Sequence, residues 1–184
     1  MNARKWIYFF LFCILNPLIN LLPFYWIDIF YDNLSYIGNT LGHPVYLILW
    51  ACLSAFGFYD LSLRCWQKTL FPYSKNLHRI LCASMVLSCM IPYAPQSAFW
   101  IQDLHVWIAI LSVGTFVLEW LYYFGWKKDL VLWEKLLLAS FVFSFLCLCI
   151  PGHITASTEI SFSTLVNLIL VNVAFSERHA TIKP

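Results

Sequence analysis

The chain has 184 residues, 61% of them hydrophobic and 11% charged, and its mean hydropathy is +0.74. Soluble globular proteins carry about 25% charged residues, so a water-soluble domain is excluded. A net charge of +2 offers no basic face for nucleic acid. Roughly 20 apolar residues suffice to cross a bilayer, and six segments approach that length.

In chain order the predicted spans are about 6–23, 44–63, 78–94, 104–124, 131–150 and 160–176. Together they make one all-α, polytopic membrane domain, a bundle of six transmembrane helices. Arg4 and Lys5 precede the first span, but no small-x-small cleavage site follows it, which predicts an uncleaved helix rather than a signal peptide. Asn16-Pro17 lies inside this span and should interrupt it, because proline removes a backbone donor. The second span opens at His43-Pro44, with proline at a first helical position where its missing N–H does no harm. Asp103 is the expected N-cap of the fourth span and Ser157 that of the sixth, with Glu159 in its first turn.

With six spans, the eleven Lys and Arg residues all fall on one side: Arg4, Lys5, Arg64, Lys68, Lys75, Arg79, Lys127, Lys128, Lys135, Arg178 and Lys183. Basic residues are enriched in cytoplasmic loops, so both termini are expected in the cytoplasm of a cell-membrane protein. The other face carries Asp28, Asp32, His43, Asp103, His105, His153 and Glu159. Aromatic residues from Phe24 to Tyr36, with Tyr93, Phe99 and Trp100, mark its interface.

Three chemistries are open to that face. His43, His105, His153 and Glu159 could supply the imidazole and carboxylate ligands of a zinc ion. Asp103, His105 and Glu159 could act as acid and base in a hydrolase or transferase working on lipid. Ser35, Ser97 and Ser157 also lie there, but no Gly-x-Ser-x-Gly elbow marks a nucleophile. A non-enzymatic site needs less: three converging helix N-termini favour an anionic headgroup. Inside the spans, Glu119, Asn16, Asn20, Asn167 and Asn172 are the polar residues that could glue helices or line a transport path.

The seven cysteines lie almost wholly within apolar runs and include no Cys-x-x-Cys pair, so they behave as small hydrophobes. Residues 79–88 align with 135–144 at an offset of 56, matching Ala83 with Ala139, Ser84 with Ser140 and Ser88 with Ser144. Small and hydroxyl side chains at these positions are expected to line helix seams.

Tyr31-Asp-Asn-Leu-Ser35-Tyr-Ile-Gly38 resembles the Ser-x-x-Gly segment of the damage-regulated autophagy modulator superfamily and its bacterial relatives of unassigned function. Ile91-Pro92 followed by Asp103-Leu-His105 is similar to the Pro…Leu-His start of that family's fourth helix, although residues 94–103 differ. The resemblance spans roughly residues 6–176 by helix count. It implies six helices and, in some members, a part in organising membrane lipids, and it carries over no catalytic residue. The leading expectation is a protein that binds or organises membrane lipids through a cleft on its outer face. A lipid hydrolase or transferase and a small transporter or its substrate-binding subunit are the alternatives. Membrane lipids are the expected partners, with a second copy or another membrane protein as further ones.

Overall fold

A computed structural model describes residues 3–92 and 98–176. Tyr93, Ser97, Arg178 and Lys183, and the last two residues of the predicted span 78–94, lie outside the described residues. Eight α-helices run in the order α1 Ala3–Phe9, α2 Asn16–Leu21, α3 Leu34–Asn39, α4 Pro44–Thr69, α5 Lys75–Met90, α6 Phe99–Lys127, α7 Leu132–Cys149 and α8 Ala156–Phe175. A π-helical stretch, Phe10–Leu15, joins α1 to α2, and a 3-10 turn, Leu22–Tyr25, extends α2. Residues 3–25 thus form one rod.

The π stretch has a local cause. Pro17 has no N–H and its ring crowds the carbonyl one turn back. The chain widens ahead of it, so that the Asn16 N–H reaches Leu11 O, five residues away. The expected interruption at Asn16-Pro17 is therefore an expanded turn, not a break.

Among the described residues, five helical segments are long and apolar enough to cross a membrane: Ala3–Tyr25, Pro44–Thr69, Phe99–Lys127, Leu132–Cys149 and Ala156–Phe175. The protein is an all-helical, polytopic bundle. The third predicted span is shorter than expected. α5 has 16 residues, about 24 Å at 1.5 Å per residue, against about 30 Å of hydrocarbon.

Two predicted starts move. α6 begins at Phe99 with Ala98 before it, so Asp103 sits within the helix and is not its cap. α8 begins at Ala156 after Thr155, which puts Ser157 inside the first turn. Neither helix uses a side-chain cap. The first N–H groups of α8 are met by the 26–33 loop: Ala156 N–H donates to Asp32 O at 2.6 Å and Ser157 N–H to Ile29 O at 2.8 Å. Backbone carbonyls thus do the work assigned to a cap. His43-Pro44 does open α4, as expected.

α4 is the centre of the bundle, packed against α5, α8 and the first rod; α7 lies along α8, and α6 along α5. The rod settles on α4 and α8 through hydrogen bonds made by buried side chains. Asn16 donates to Ser163 O at 3.1 Å, Asn20 to Asn16 O at 2.9 Å, and Trp50 Nε1 to Asn20 Oδ1 at 2.8 Å. Ser54 and Ser163 join hydroxyls at 2.7 Å. Asn167, one of the intramembrane candidates, donates to Ser54 O at 3.4 Å, while Asn172 turns back to Leu168 O of its own helix. Interhelical hydrogen bonds in lipid each contribute about 0.6 kcal/mol on average, so the connected set matters more than any one member.

The described basic side chains gather at one end of the bundle. The end capped by α3 holds Asp28, Asp32, His43, Asp103, His105, His153 and Glu159, with Tyr25, Phe30, Tyr31, Phe99 and Trp100 exposed around them. At the opposite end Arg64 bonds Asp60 and Tyr8, and its guanidinium lies 4.8 Å from the Tyr8 ring centre. Lys68 there donates to Ala174 O at the end of α8. Lys127 pairs with the buried Glu134, which also accepts from Tyr123 at 2.7 Å and closes the α6–α7 turn.

Gly57 sits at a close helix crossing: a Cβ there would lie 2.0 Å from Asn167 Oδ1 and 2.6 Å from Phe12 Cε1. Gly125 has nothing within 4 Å of such an atom. Gly57→Ala is therefore expected to cost about 1–3 kcal/mol by overpacking, read as a lower melting temperature in detergent, with Gly125→Ala as the control. Equal melting of the two variants would contradict this packing.

Candidate functional site

α6 and α7 are consecutive in sequence yet make little backbone contact. Between them, in the half of the bundle nearer α3, lies a cavity of about 380 Å³. Its α6 wall includes Ile110, Gly114 and Leu118, each four residues from the last and so on one helix face. Its α7 wall is Phe141, Ser144, Phe145 and Leu148. Leu118 and Phe145 are each 61% exposed, so the cavity opens sideways between the two helices. The gap is wide at Gly114, where a Cβ would meet nothing within 4 Å. Phe58, Phe141 and Phe162 close the floor, tied to Phe116 by ring contacts of 5.0 to 6.3 Å.

The end nearer α3 is polar. Glu159, in the first turn of α8, lines the cavity, and its Oε2 accepts the Leu34 N–H at 2.7 Å. A carboxylate suits the positive end of a helix. Ser88 of α5 lines the same wall, its hydroxyl donating to Met85 O at 2.8 Å. Ser144 faces it from α7, buried and without a hydrogen-bond partner. The two serines aligned in the internal repeat therefore both reach the cavity, where a helix seam was expected.

α3 seals this end. Asn33 caps it, its Oδ1 accepting the Tyr36 N–H at 2.9 Å. Gly38 lets it sit on α4, since a Cβ there would lie 2.5 Å from Leu47 Cδ2. The Ser-x-x-Gly segment thus has a steric cause at its glycine, and the seal brings Ser35 against His105.

His105 is buried nearly two turns into α6. Its Nδ1 lies 2.7 Å from Ser88 O and its Nε2 3.1 Å from Ser35 Oγ. A carbonyl only accepts, so Nδ1 carries the proton, and in the neutral ring Nε2 accepts the Ser35 hydroxyl. Glu159 and His105 are thereby linked through adjacent residues, Leu34 and Ser35. The sequence placed both on this face without showing that α3 connects them.

The other candidates stand apart. Asp103 is exposed on α6. His43 is exposed and stacks on Trp26, with ring centres 4.9 Å apart. His153 is exposed, its two nitrogens each 3.1 Å from a carbonyl oxygen, of Pro151 and of Tyr31. Among the described residues, no three His, Cys, Asp or Glu side chains come together, so the four proposed zinc ligands are not assembled. The helix N-termini also fail to converge on a free anion site: α8 is occupied by loop carbonyls and α4 begins with proline.

Glu119 has a partner that the sequence reading missed. His78, fully buried in α5, places Nδ1 2.7 Å from Glu119 Oε2 and Nε2 3.3 Å from Tyr59 O. Its ring packs between those of Tyr59 and Trp66. His78 opens the predicted span 78–94, and a histidine abutting an apolar run was the available signal. No known protein family, characterised protein or solved structure matches the chain.

Proposed function

We propose that this protein holds a membrane lipid, with an acyl chain lying in the α6–α7 cleft and the polar end toward Glu159. The observation that carries the reading is the shape and chemistry of the cavity. Its volume of about 380 Å³ lies within the roughly 300–1,000 Å³ of small-molecule sites, and its mouth opens sideways, where a spanning bundle meets hydrocarbon. Apolar walls with a few polar groups at one end match an amphiphile in that orientation. The resemblance of residues 31–38, of Ile91-Pro92 and of Asp103-Leu-His105 to a family with lipid-organising members points the same way.

Gly114→Phe tests this directly, because Gly114 lines the cleft, a Cβ there meets nothing within 4 Å, and a ring at this position takes up cleft volume. Lipid retained through purification, read by native mass spectrometry, is expected in the parent protein. It should be lost in the variant at an unchanged melting temperature. Equal retention in both would refute the cleft as the site.

We further propose six crossings with both termini in the cytoplasm and the α3 end outside. Support comes from the described basic residues, gathered at the end opposite α3, and from Asp28, Asp32, His43, Asp103, His105, His153 and Glu159 at the α3 end. α5 would cross with its shorter helix and flanking residues. A tag after Pro184 should resist protease added to intact cells, and cleavage from outside would overturn the orientation.

A second reading, acyl transfer from a lipid ester, is favoured by the Ser35–His105 hydrogen bond. A serine hydroxyl bonded to the unprotonated nitrogen of a neutral imidazole is the arrangement that makes serine a nucleophile. Ser35 Oγ would attack the ester carbonyl while its proton passes to His105 Nε2 and on to the departing alcohol. Fluorophosphonate labelling at Ser35, absent in Ser35→Ala, is expected on this reading. No labelling together with no ester cleavage would remove it.

A further inference from the structure

The cleft also bears on which lipid it takes, an inference that rests on the reading of the cleft as a lipid site. The polar atoms at its α3 end are unequal in what they can offer. Glu159 presents a carboxyl group with one oxygen held by Leu34. The Ser88 and Ser112 hydroxyls, both lining the cavity, donate to carbonyls of their own helices, Met85 O at 2.8 Å and Ala109 O at 3.1 Å. A serine whose proton is so engaged offers lone pairs to a ligand. Ser144 differs: it is 4% exposed and its Oγ has no hydrogen-bond partner.

A phosphate brings acceptors and negative charge to a lining that holds a carboxyl group and no Lys, Arg or His to meet them. Like charges and unpaired acceptors in a site shielded from water are costly. A hydroxyl can donate to the Glu159 oxygen not held by Leu34, and an ester carbonyl can take the free Ser144 proton. We propose that the cleft selects a neutral lipid with a free hydroxyl and ester carbonyls, of the diacylglycerol type, over lipids carrying phosphate at that position. The cavity then acts as a filter between a lipid and its phosphorylated form, since the two share their chains and differ only at the atom that meets Glu159.

Dioleoylglycerol and dioleoyl phosphatidic acid are the matched probes. Each is added at equal concentration to the purified full chain in detergent, and bound lipid is counted by native mass spectrometry. Dioleoylglycerol is expected to be retained at least ~10-fold better, the scale of one unpaired buried polar group. Glu159→Gln keeps an acceptor but removes the carboxylate, and should narrow the preference. Because Glu159 also holds Leu34, Ser144→Ala provides a variant with no partner to lose in the fold; it should weaken dioleoylglycerol several-fold and leave melting unchanged. Equal or better retention of phosphatidic acid by the parent protein, displaced by Gly114→Phe, overturns the headgroup assignment while the cleft stands. Retention of neither lipid, or of both regardless of Gly114→Phe, overturns the cleft itself.

Discussion

Trp50 donates its indole N–H to Asn20, Asn20 bonds Asn16, and Asn16 reaches the Ser163 carbonyl across to α8. This buried line of amides decides where the first rod can sit. In hydrocarbon a side chain such as Leu has no preference between lipid and protein, so apolar surface alone does not choose a helix partner. An amide does choose, because leaving it unpaired away from water costs several kcal/mol. The Ser54–Ser163 hydroxyl pair and the bond from Asn167 to Ser54 extend the same seam between α4 and α8. Gly57 then permits the close approach that Asn167 and Phe12 require.

With α4 and α8 locked together, α6 is the helix whose position remains to be set, and it is held near its ends. Near α3, His105 ties it to α5 and to Ser35. Toward the opposite end Glu119 bonds His78, Trp120 donates to Ser62 at 3.0 Å, and Tyr123 and Lys127 meet Glu134. Between these ties lies the stretch from Ile110 to Leu118, with Gly114 at its middle and no polar bond across to α7. A helix fixed above and below a glycine-bearing segment stands off from its neighbour there. The cleft is thus a consequence of where the hydrogen bonds are placed, and its floor is the ring cluster around Phe116.

Local signals in the sequence foretold the parts of this arrangement that depend on local physics. Pro44 fixes a helix start because its own ring sets φ and removes a donor, and the structure has α4 begin there. Pro17 distorts its helix for the same kind of reason. Asp103 misled because a good capping residue need not be used: Phe99 and Trp100 continue the helix past it, and the first N–H groups of α8 likewise found backbone carbonyls, not Ser157. Where two distant segments must meet, spacing is silent. His78 and Glu119 are 41 positions apart, Ser35 and His105 are 70 apart, and Leu34 and Glu159 are 125 apart. The sequence marked His105, Glu119 and Glu159 as groups needing partners, but only the packing of α3 and α5 supplies them. His43 and His153 show the converse, since a shared face did not bring them to a shared site.

The internal repeat sharpens the contrast between seam and cleft. Ser84 aligns with Ser140 and Ser88 with Ser144, so sequence alone assigns all four the same role. Their surroundings divide them. Ser140 donates to Leu137 O and stays within its helix. Ser88 does the same with Met85 O, yet its backbone carbonyl also anchors His105 and its side chain borders the cavity. Ser144 occupies the equivalent place on α7 with no residue opposite, because α6 has been drawn toward α5 by that very bond to Ser88 O. One hydrogen bond on the α5 side therefore accounts both for the open space before α7 and for the buried hydroxyl left facing it.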